Sequence, residues 1–204
     1  MSHIDDLPFS EACERNKRPI GQALARLLSA DARVLEIGAG TGQHAVWFTR
    51  SMPGLDWLVT DVPDNLPGLS ARIEREGQGR LEPPRALDLS ADSWPEGPFD
   101  AVYTANTLHI MPFELTAVLF DGARQCLRPG GRLICYGPFH YAGRHTAESN
   151  AAFDRSLRER DPAMGIRDAE EVRRMAAERG LVPEADLALP ANNRLLVFTL
   201  DPTH

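Results

Sequence analysis

The sequence has few cysteines and no long apolar run. Its 204 residues include three cysteines, Cys13, Cys126 and Cys135. Their odd number and wide spacing match neither a disulfide framework nor a Cys-x-x-Cys metal site. No apolar run approaches the ~18 residues of a membrane span. Residues 1–9 contain two aspartates and no basic apolar leader, so we expect a cytoplasmic protein with no membrane partner.

The sequence also lacks an excess of positive charge. Its formal net charge is −7 and its pI is about 5.4, so no global positive field attracts phosphate backbones. We therefore expect no nucleic-acid partner. Hydrophobic residues make up 43% of the chain and charged residues 25%, which is ordinary for a globular protein. With no internal repeat and no low-complexity linker, the sequence predicts a single domain over residues 1–204.

The most informative segment is residues 34–48. An apolar run (Val34, Leu35, Ile37) stops at a series of glycines, and an apolar-periodic segment follows at once. A buried parallel strand that turns tightly into a helix has this pattern. Glycine lets a ligand approach without meeting a Cβ, and the N–H groups that open the next helix face a negative or polar ligand group. The pattern predicts a ligand-binding loop, although the same glycines would also suit a tight turn alone.

The spacing of these glycines favours one ligand. Nicotinamide and flavin proteins usually carry Gly-x-Gly-x-x-Gly. Here Gly38, Gly40 and Gly42 lie two residues apart and follow the acid Glu36. This pattern resembles motif I of class I S-adenosylmethionine (SAM)-dependent methyltransferases. The resemblance implies that these four residues bind SAM, with S-adenosylhomocysteine (SAH) as the product. We interpret His44, at the same loop, as a packing or capping residue.

Two further acids end predicted strands. Residues 56–61 predict a second strand ending at Asp61, 23 residues beyond the first glycine of the loop. The Rossmann architecture places a ribose-binding carboxylate at a spacing of ~20. Residues 85–89 predict a short third strand that closes on Asp88. The methyltransferase resemblance implies that Asp88 accepts the adenine amino group and that the N–H of Leu89 meets a ring nitrogen. A helix N-cap or a plain turn is the alternative role for these acids.

Strand and helix patterns alternate along the rest of the chain. A fourth strand, residues 99–105, runs into Asn106, which we assign to the cofactor because open α/β sheets bind ligands beyond strand carboxyl ends. The other predicted elements are helices at 65–76, 113–127, 148–160 and 168–179, a fifth strand at 132–137, and closing strands at 181–189 and 194–200. The alternation predicts an α/β, Rossmann-like, doubly wound and mostly parallel sheet. The resemblance implies seven strands with an antiparallel last strand.

The N-terminal segment, residues 1–30, is predicted to form a helical cap. Pro19 suits a first helical turn, and apolar residues follow it at helical spacing as far as Leu28. A polar cluster at residues 15–18 lies just before this predicted helix. The cluster is either a solvated helix start or part of a cap that folds over the active site.

The whole chain resembles a narrower group, the domain-of-unknown-function 938 or methyltransferase-like 26 family. Seven blocks carry the resemblance: residues 12–17 (Ala-Cys-Glu-Arg-Asn-Lys), 35–44 (Leu-Glu-Ile-Gly-Ala-Gly-Thr-Gly-Gln-His), 106–110 (Asn-Thr-Leu-His-Ile), 136–139 (Tyr-Gly-Pro-Phe), 148–154 (Glu-Ser-Asn-Ala-Ala-Phe-Asp), 165–168 (Gly-Ile-Arg-Asp) and 190–193 (Pro-Ala-Asn-Asn). They are spread over most of the chain. Membership defines the fold and the cofactor far more closely than the reaction.

The chemistry of methyl transfer makes few demands on side chains. SAM presents its methyl group on a positively charged sulfur, and an acceptor nucleophile displaces it in line. Positioning can supply roughly 7–11 kcal/mol, and a general base is needed only when the acceptor must lose a proton. His109 and His140 follow strand carboxyl ends and are the candidate bases, unless each is merely hydrogen-bonded within its loop. With His145 they show no recognised metal-ligand spacing, so we expect no metal.

We assign Arg15, Asn16, Phe139 and Tyr141 to acceptor binding. A set of basic residues could bind a carboxylate on a small acidic acceptor, although surface charge is the alternative: Arg15, Lys17, Arg144 and Arg167. The chain lacks an Asn/Asp-Pro-Pro-Tyr/Phe motif after the fourth strand and the Pro-Cys motif of cytosine-C5 enzymes. These absences favour a small-molecule acceptor.

The sequence therefore predicts a SAM-dependent methyltransferase that acts on an unidentified small molecule. One alternative is a non-catalytic SAM-binding protein that regulates or scaffolds a partner. A second is an NAD-dependent oxidoreductase, which the glycine spacing and Asp88 disfavour. The oligomeric state is open between a monomer and a homodimer.

Overall fold

Alternating strands and helices build one twisted sheet covered on both faces. The computed structural model describes residues 6–90 and 94–203. The seven strands of the main sheet are β1 (Arg33–Ile37), β2 (Asp56–Asp61), β3 (Arg85–Ala86), β4 (Phe99–Ala105), β5 (Leu127–Tyr141), β8 (Leu181–Leu189) and β9 (Asn193–Leu200). Their order is β3-β2-β1-β4-β5-β9-β8. The first five pair in parallel, whereas β9 is antiparallel to both of its neighbours. This confirms the predicted doubly wound sheet with an antiparallel last strand.

Two short strands extend the sheet near the end of β5. They are β6 (Arg144–His145), which is antiparallel to β5, and β7 (Arg167–Asp168), which is parallel to it. The helices are α1 (Glu11–Leu27), α2 (Gln43–Ser51), α3 (Leu66–Glu76), α4 (Leu115–Cys126), α5 (Glu148–Arg160) and α6 (Ala169–Ala177). None of the helices in the described ranges is long and apolar enough to cross a membrane.

Side-chain alternation along the strands divides the core into two layers. On one face, Val34 and Trp57 of the strands pack with apolar residues of α1, α2 and α3, such as Leu24 and Phe48. On the other face, Leu35 of β1 and Leu133 of β5 pack with apolar residues of α4 and α6. Successive strand residues point to opposite faces, so a central strand buries both sets. This arrangement leaves the carboxyl ends of the parallel strands to form a ligand site.

Helix α1 begins eight residues earlier than the sequence indicated. Ser10 is its N-cap, with its hydroxyl accepting a hydrogen bond from the N–H of Cys13 at 3.3 Å. Acidic residues in the first turn complement the positive end of the helix dipole. Pro19 therefore lies inside the helix, and the predicted start at Pro19 is wrong. The polar cluster at residues 15–18 is part of the helix, and residues 1–5 of the predicted cap lie outside the described ranges.

Strand β5 is longer than predicted at both ends. It begins at Leu127, before the predicted start at residue 132, opposite a register shift in β4. At its far end, Pro138 pairs with Asn193 of β9 and Phe139 pairs with Arg167 of β7. Residues 138–141, beyond the predicted end at residue 137, are therefore strand. In contrast, the third strand is shorter than predicted, with two residues.

Candidate functional site

A cavity of about 1040 Å³ lies at the carboxyl ends of the parallel strands. Its walls come from the segments that follow β1, β2, β3 and β4, from residues near the end of β5, and from α1, α5 and the turn between β8 and β9. Ligand pockets for small molecules commonly have volumes of roughly 300–1,000 Å³. The cavity is therefore large enough for a nucleoside-sized ligand together with a second small molecule.

The three glycines after β1 have different roles. All three have positive φ, at +69°, +57° and +73° for Gly38, Gly40 and Gly42. A Cβ on Gly38 would lie 2.8 Å from Thr107 Oγ1, and one on Gly42 would lie 2.6 Å from Leu69 Cδ1. A Cβ on Gly40 would meet no atom within 4 Å. The outer two glycines allow close packing, whereas Gly40 leaves open space beside the cavity.

The carboxylate of Asp61 ties the end of β2 to this glycine loop. Its Oδ2 accepts the N–H of Gly40 at 2.5 Å, and its Oδ1 accepts from Val62 N at 2.7 Å and Asn65 Nδ2 at 2.8 Å. A carboxylate has about four lone-pair positions, and three are used here. Asp61 lines the cavity as predicted by the sequence pattern. It can accept one direct hydrogen bond from a ligand without giving up a protein partner, rather than the two expected for a diol.

Asp88 and Leu89 also lie along the cavity, after the short strand β3. Asp88 Oδ1 accepts hydrogen bonds from the side chain of Ser90 at 2.6 Å and from its backbone N–H at 2.9 Å. These bonds lower the pKa of Asp88. The N–H of Leu87 donates to Asp61 O at 2.9 Å, so β2 fixes the start of this segment. Asp88 therefore has the turn contacts that the alternative interpretation required, at a position beside the cavity.

Glu36 is buried between the glycine loop and the aromatic core. Its Oε2 accepts the indole N–H of Trp57 at 2.8 Å. Burial raises the pKa of Glu36 to about 7, the Trp57 bond opposes this change, and the nearby Asp61 charge adds to it. Glu36 lines the cavity, but its described hydrogen bond is to the core. Glu36 therefore connects the cavity to the aromatic core that contains Trp57.

Asn106 and His109 lie on the segment after β4. Asn106 has a positive φ of 58° and its N–H donates to Tyr136 O at 2.8 Å. His109 is buried, with its ring 5.4 Å from the Phe153 ring in an edge-on arrangement. Burial, and secondarily the charge of Arg167, lower the pKa of His109 to about 4. Both predicted residues line the cavity, and His109 is a neutral imidazole at physiological pH.

Arg167 is hydrogen-bonded to the backbone of the segment that carries His109. Its Nε donates to Leu108 O at 2.9 Å, and its Nη2 donates to Met111 O at 2.5 Å and Ala163 O at 2.9 Å. The guanidinium also lies over the Phe113 ring at 5.2 Å. The guanidinium of Arg167 therefore binds backbone carbonyls. It does not have the role that the sequence suggested, which was to bind a carboxylate of the acceptor.

Four predicted site residues are absent from the described residues that line the cavity: Gly42, Phe139, His140 and Tyr141. A Cβ on Gly42 would meet Leu69 and Arg72, so this glycine packs against α3. The other three residues lie on β5. Phe139 is buried on the α4 and α6 face of the sheet. His140 Nδ1 lies 3.0 Å from Asp168 Oδ2, and the Tyr141 hydroxyl donates to Asp186 Oδ2 at 2.8 Å. The physical reason is the length of β5. Because residues 138–141 are strand, their side chains alternate between the faces of the sheet instead of converging on a ligand.

Helix α1 supplies Arg15 and Asn16, which the sequence analysis assigned to acceptor binding, to the cavity wall. Arg15 lies on the rim, 3.7 Å from Glu11, with a side chain that is 72% exposed. Asn16 Oδ1 lies 2.7 Å from His44 Nε2. Burial lowers the pKa of His44 to about 4. His44 thus joins α1 to α2, and the predicted packing role matches this contact. Lys17 forms an ion pair with Glu14.

Sequence reasoning assigned no role to several residues that line the cavity. Tyr136 is the main one: its hydroxyl is hydrogen-bonded by Asn16 and Asn193, while burial raises its pKa. Phe153 of α5 also lines the wall. The signal was present in the sequence, because Tyr136, Phe153 and Asn193 fall in blocks that carry the family resemblance. Nothing in their local pattern indicated that they would meet.

No cluster of three His, Cys, Asp or Glu side chains suited to a metal ion occurs in the part of the chain that the structure describes. The three candidate histidines are divided: His109 lies at the cavity, whereas His140 and His145 form a separate pair with their rings 5.5 Å apart.

The fold is that of class I SAM-dependent methyltransferases. An O-methyltransferase family protein from Burkholderia thailandensis matches 95% of this chain with a TM-score of 0.80 at 18% identity. Human N-acetylserotonin methyltransferase, solved in complex with SAM, matches 94% with a TM-score of 0.78 at 17% identity. The SAM-dependent methyltransferase SibL matches 93% with a TM-score of 0.77 at 23% identity. The chain spans 59%, 53% and 56% of these three structures.

Beyond the fold, the sequence shows which family the chain belongs to. Residues 7–200 match the family model described as "Protein of unknown function (DUF938)", and the chain belongs to this family. The resemblance stated from the seven sequence blocks is confirmed.

Proposed function

We propose that this protein transfers a methyl group from SAM to a small-molecule acceptor. One observation carries the proposal: a single cavity contains the glycine loop and its acids on one side and a separate wall formed by α1, α5 and the His109 segment on the other. A methyl donor and a methyl acceptor must meet in one enclosed space. The arrangement supplies such a space.

The residues beside the glycine loop fit SAM. The open space at Gly40 allows a ligand to approach the backbone, and Glu36, Asp61 and Asp88 place carboxyl groups along the same side. SAM is a cation when its amino group is protonated, so an acidic environment favours it. By the methyltransferase resemblance, Asp61 would hold a ribose hydroxyl, and Asp88 and Leu89 would hold the adenine. Gly38 and Asn106 would shape the remaining contact surface.

When bound, SAM supplies an electrophilic methyl group on its sulfonium. The protein's own contribution is to hold the acceptor in line and to exclude water, which can supply roughly 7–11 kcal/mol. His109 is suited to a second role. Its buried, neutral imidazole can accept a proton from a hydroxyl or thiol nucleophile as the new bond forms. Arg167 acts through the backbone by keeping the His109 segment in place.

The first experiment is calorimetric titration of the protein with SAM, SAH and NAD. We expect SAM and SAH to bind with micromolar affinity and NAD not to bind. A Gly40→Val variant should lose this binding, because its side chain would enter the space beside the loop. Binding of NAD without SAM would contradict the proposal in favour of an oxidoreductase.

The second experiment measures transfer. The protein is incubated with methyl-labelled SAM and a metabolite extract from which macromolecules have been removed. We expect label to appear in a small-molecule product and SAH to form in equal amount. Tight SAM binding with no transfer to any fraction would favour the non-catalytic SAM-binding alternative.

A further inference from the structure

The charged groups of the cavity lie on one side. Its described carboxyl groups come from Glu36, Asp61 and Asp88, at the ends of β1, β2 and β3. In the sheet these are neighbouring strands on one side of β4. On the other side, the segment after β4, the end of β5, α1, α5 and the turn between β8 and β9 contribute no Asp, Glu or Lys among the described lining residues.

The only cation among those described lining residues is at the rim. It is Arg15, whose guanidinium is mostly exposed and lies near Glu11. The two imidazoles that line the cavity, His44 and His109, are buried, and burial lowers the pKa of each to about 4. They are neutral at physiological pH. A charged acceptor entering this side would therefore lose water without gaining an opposite charge, which is costly.

The same side is rich in apolar surface. Two large apolar residues that line it are unusually exposed for their type, with Ile110 at 47% and Phe153 at 39% relative exposure. Met111, Pro138 and Pro190 continue this surface. Exposed apolar area that faces a concave site is the usual mark of a binding surface for an apolar ligand.

One polar group stands out on this apolar wall. Tyr136 is buried, and burial raises its pKa, while hydrogen bonding with the side chains of Asn16 and Asn193 opposes this change. All three residues line the cavity.

We propose that the acceptor is an uncharged, largely apolar compound with a polar atom that forms a hydrogen bond with the Tyr136 hydroxyl. This inference rests on the proposed function, because it identifies the neutral side of the cavity as the acceptor side. The acidic side is left to the cationic donor. The charge distribution therefore assigns SAM to the acidic side of the cavity and the acceptor to the neutral side.

The test compares three phenols of similar shape that differ in charge. The protein is first saturated with SAH, and the affinities of 4-propylphenol, 4-hydroxyphenylacetate and tyramine are measured by calorimetry at neutral pH. These probes are neutral, anionic and cationic, respectively. We expect 4-propylphenol to bind at least tenfold more tightly than either charged probe.

Two tyrosine variants test the hydrogen bond. Tyr136→Phe should weaken binding of 4-propylphenol about tenfold while leaving SAH affinity unchanged. Tyr103→Phe is the matched control, because the Tyr103 hydroxyl is buried against His44 and is not among the described lining residues. It should change neither affinity.

The outcomes separate this inference from the proposed function. Failure of SAH to bind would remove the proposed function and the inference together. Normal SAH binding with no binding of 4-propylphenol, or with equal or tighter binding of a charged probe, would overturn the inference alone. Equal effects of the two tyrosine variants would remove Tyr136 from acceptor recognition.

Discussion

The N–H of Gly40 donates to Oδ2 of Asp61 at 2.5 Å and joins the ends of the neighbouring strands β1 and β2. Gly40 belongs to the loop that opens α2, and Asp61 is the last residue of β2. The contact holds the glycine loop against the acid that the sequence assigned to the same ligand. Loop and acid therefore act as one unit, and changes to either should alter cofactor binding.

The first prediction concerns Asp61→Ala. Loss of the carboxylate removes a ligand contact and the anchor of Gly40, so SAM affinity should fall about 10- to 100-fold, as expected for a hydrogen bond to a charged group. Calorimetry measures the affinity, and circular dichroism checks the fold. Asp56→Ala is the control, since Asp56 lies at the opposite end of β2 in an exposed ion pair with Arg33 at 3.3 Å. Unchanged affinity in a folded Asp61→Ala protein would remove Asp61 from the site.

The second prediction compares Gly40→Ala with Gly79→Ala. Both glycines have positive φ, +57° and +70°, and a Cβ at either would meet no atom within 4 Å. Each variant should lose about 1 kcal/mol of stability from backbone strain. Only Gly40→Ala should also weaken SAM binding, because Gly79 is not among the described residues of the cavity. Thermal unfolding and calorimetry give the two quantities, and an equal loss of SAM affinity in both would assign the effect to strain alone.

The third prediction concerns His109→Ala. If His109 accepts the acceptor's proton, turnover should fall about 10²- to 10⁴-fold while SAM affinity changes little. Because the pKa of His109 is lowered to about 4, protonation of this imidazole should reduce turnover only in strongly acidic solution, not near the ordinary pKa of 6.5. His140→Ala is the control, since His140 pairs with Asp168 away from the cavity. Full turnover in His109→Ala would make His109 a loop residue.

The fourth prediction concerns Glu36→Gln and pH. Burial raises the pKa of Glu36 from its ordinary value of 4.5 to about 7 in the folded protein. The folded state therefore holds its proton more tightly, so this group costs stability as pH rises from the lower value through the higher one. The cost should reach on the order of 3 kcal/mol above the folded pKa. Glu36→Gln should be more stable relative to the native protein by about that amount at pH ~8 than at pH ~4.5.

Urea unfolding of both proteins at the two pH values measures this difference. Comparing the variant with the native protein is necessary because His44 and His109, whose pKa values are lowered, change stability in the opposite direction in acid. Glu82→Gln, at an exposed ion pair with Arg85, should leave the difference near zero. A pH-independent difference for Glu36→Gln would mean that folding leaves the pKa of Glu36 unchanged.

Local patterns were sufficient for most of the fold. Helix α5 and strand β8 have the predicted ends, because amphipathic spacing and turn residues mark them strongly. The start of α1 was predicted from the sequence at Pro19, because proline is common in the first turn of a helix. The helix instead begins after Ser10, whose hydroxyl caps its N-terminus. The far end of β5 was missed because it pairs with β6 and β7, which come later in the chain. The local sequence pattern of residues 138–141 does not indicate this pairing.

The site shows the same difference between what local sequence patterns indicate and what pairing between distant segments decides. Spacing indicated that Gly38 and Gly40 would lie near Asp61 and Asp88, because strand ends in a parallel sheet meet at one edge. Spacing could not place Phe139 and Tyr141, whose side chains follow the alternation of a strand that was predicted to end at residue 137.

The sequence by itself determined the family, the doubly wound fold and the side of the cavity that follows the glycine motif. The family follows from the resemblance of the seven sequence blocks, and the fold follows from hydrophobic periodicity. The glycine side of the cavity follows from the position of the motif at the end of a parallel strand. Only the tertiary structure decided which residues form the acceptor wall. Asn16, Tyr136 and Asn193 are more than 50 residues apart at each step, and they meet at the cavity because α1 and the β8–β9 turn both pack over the end of β5.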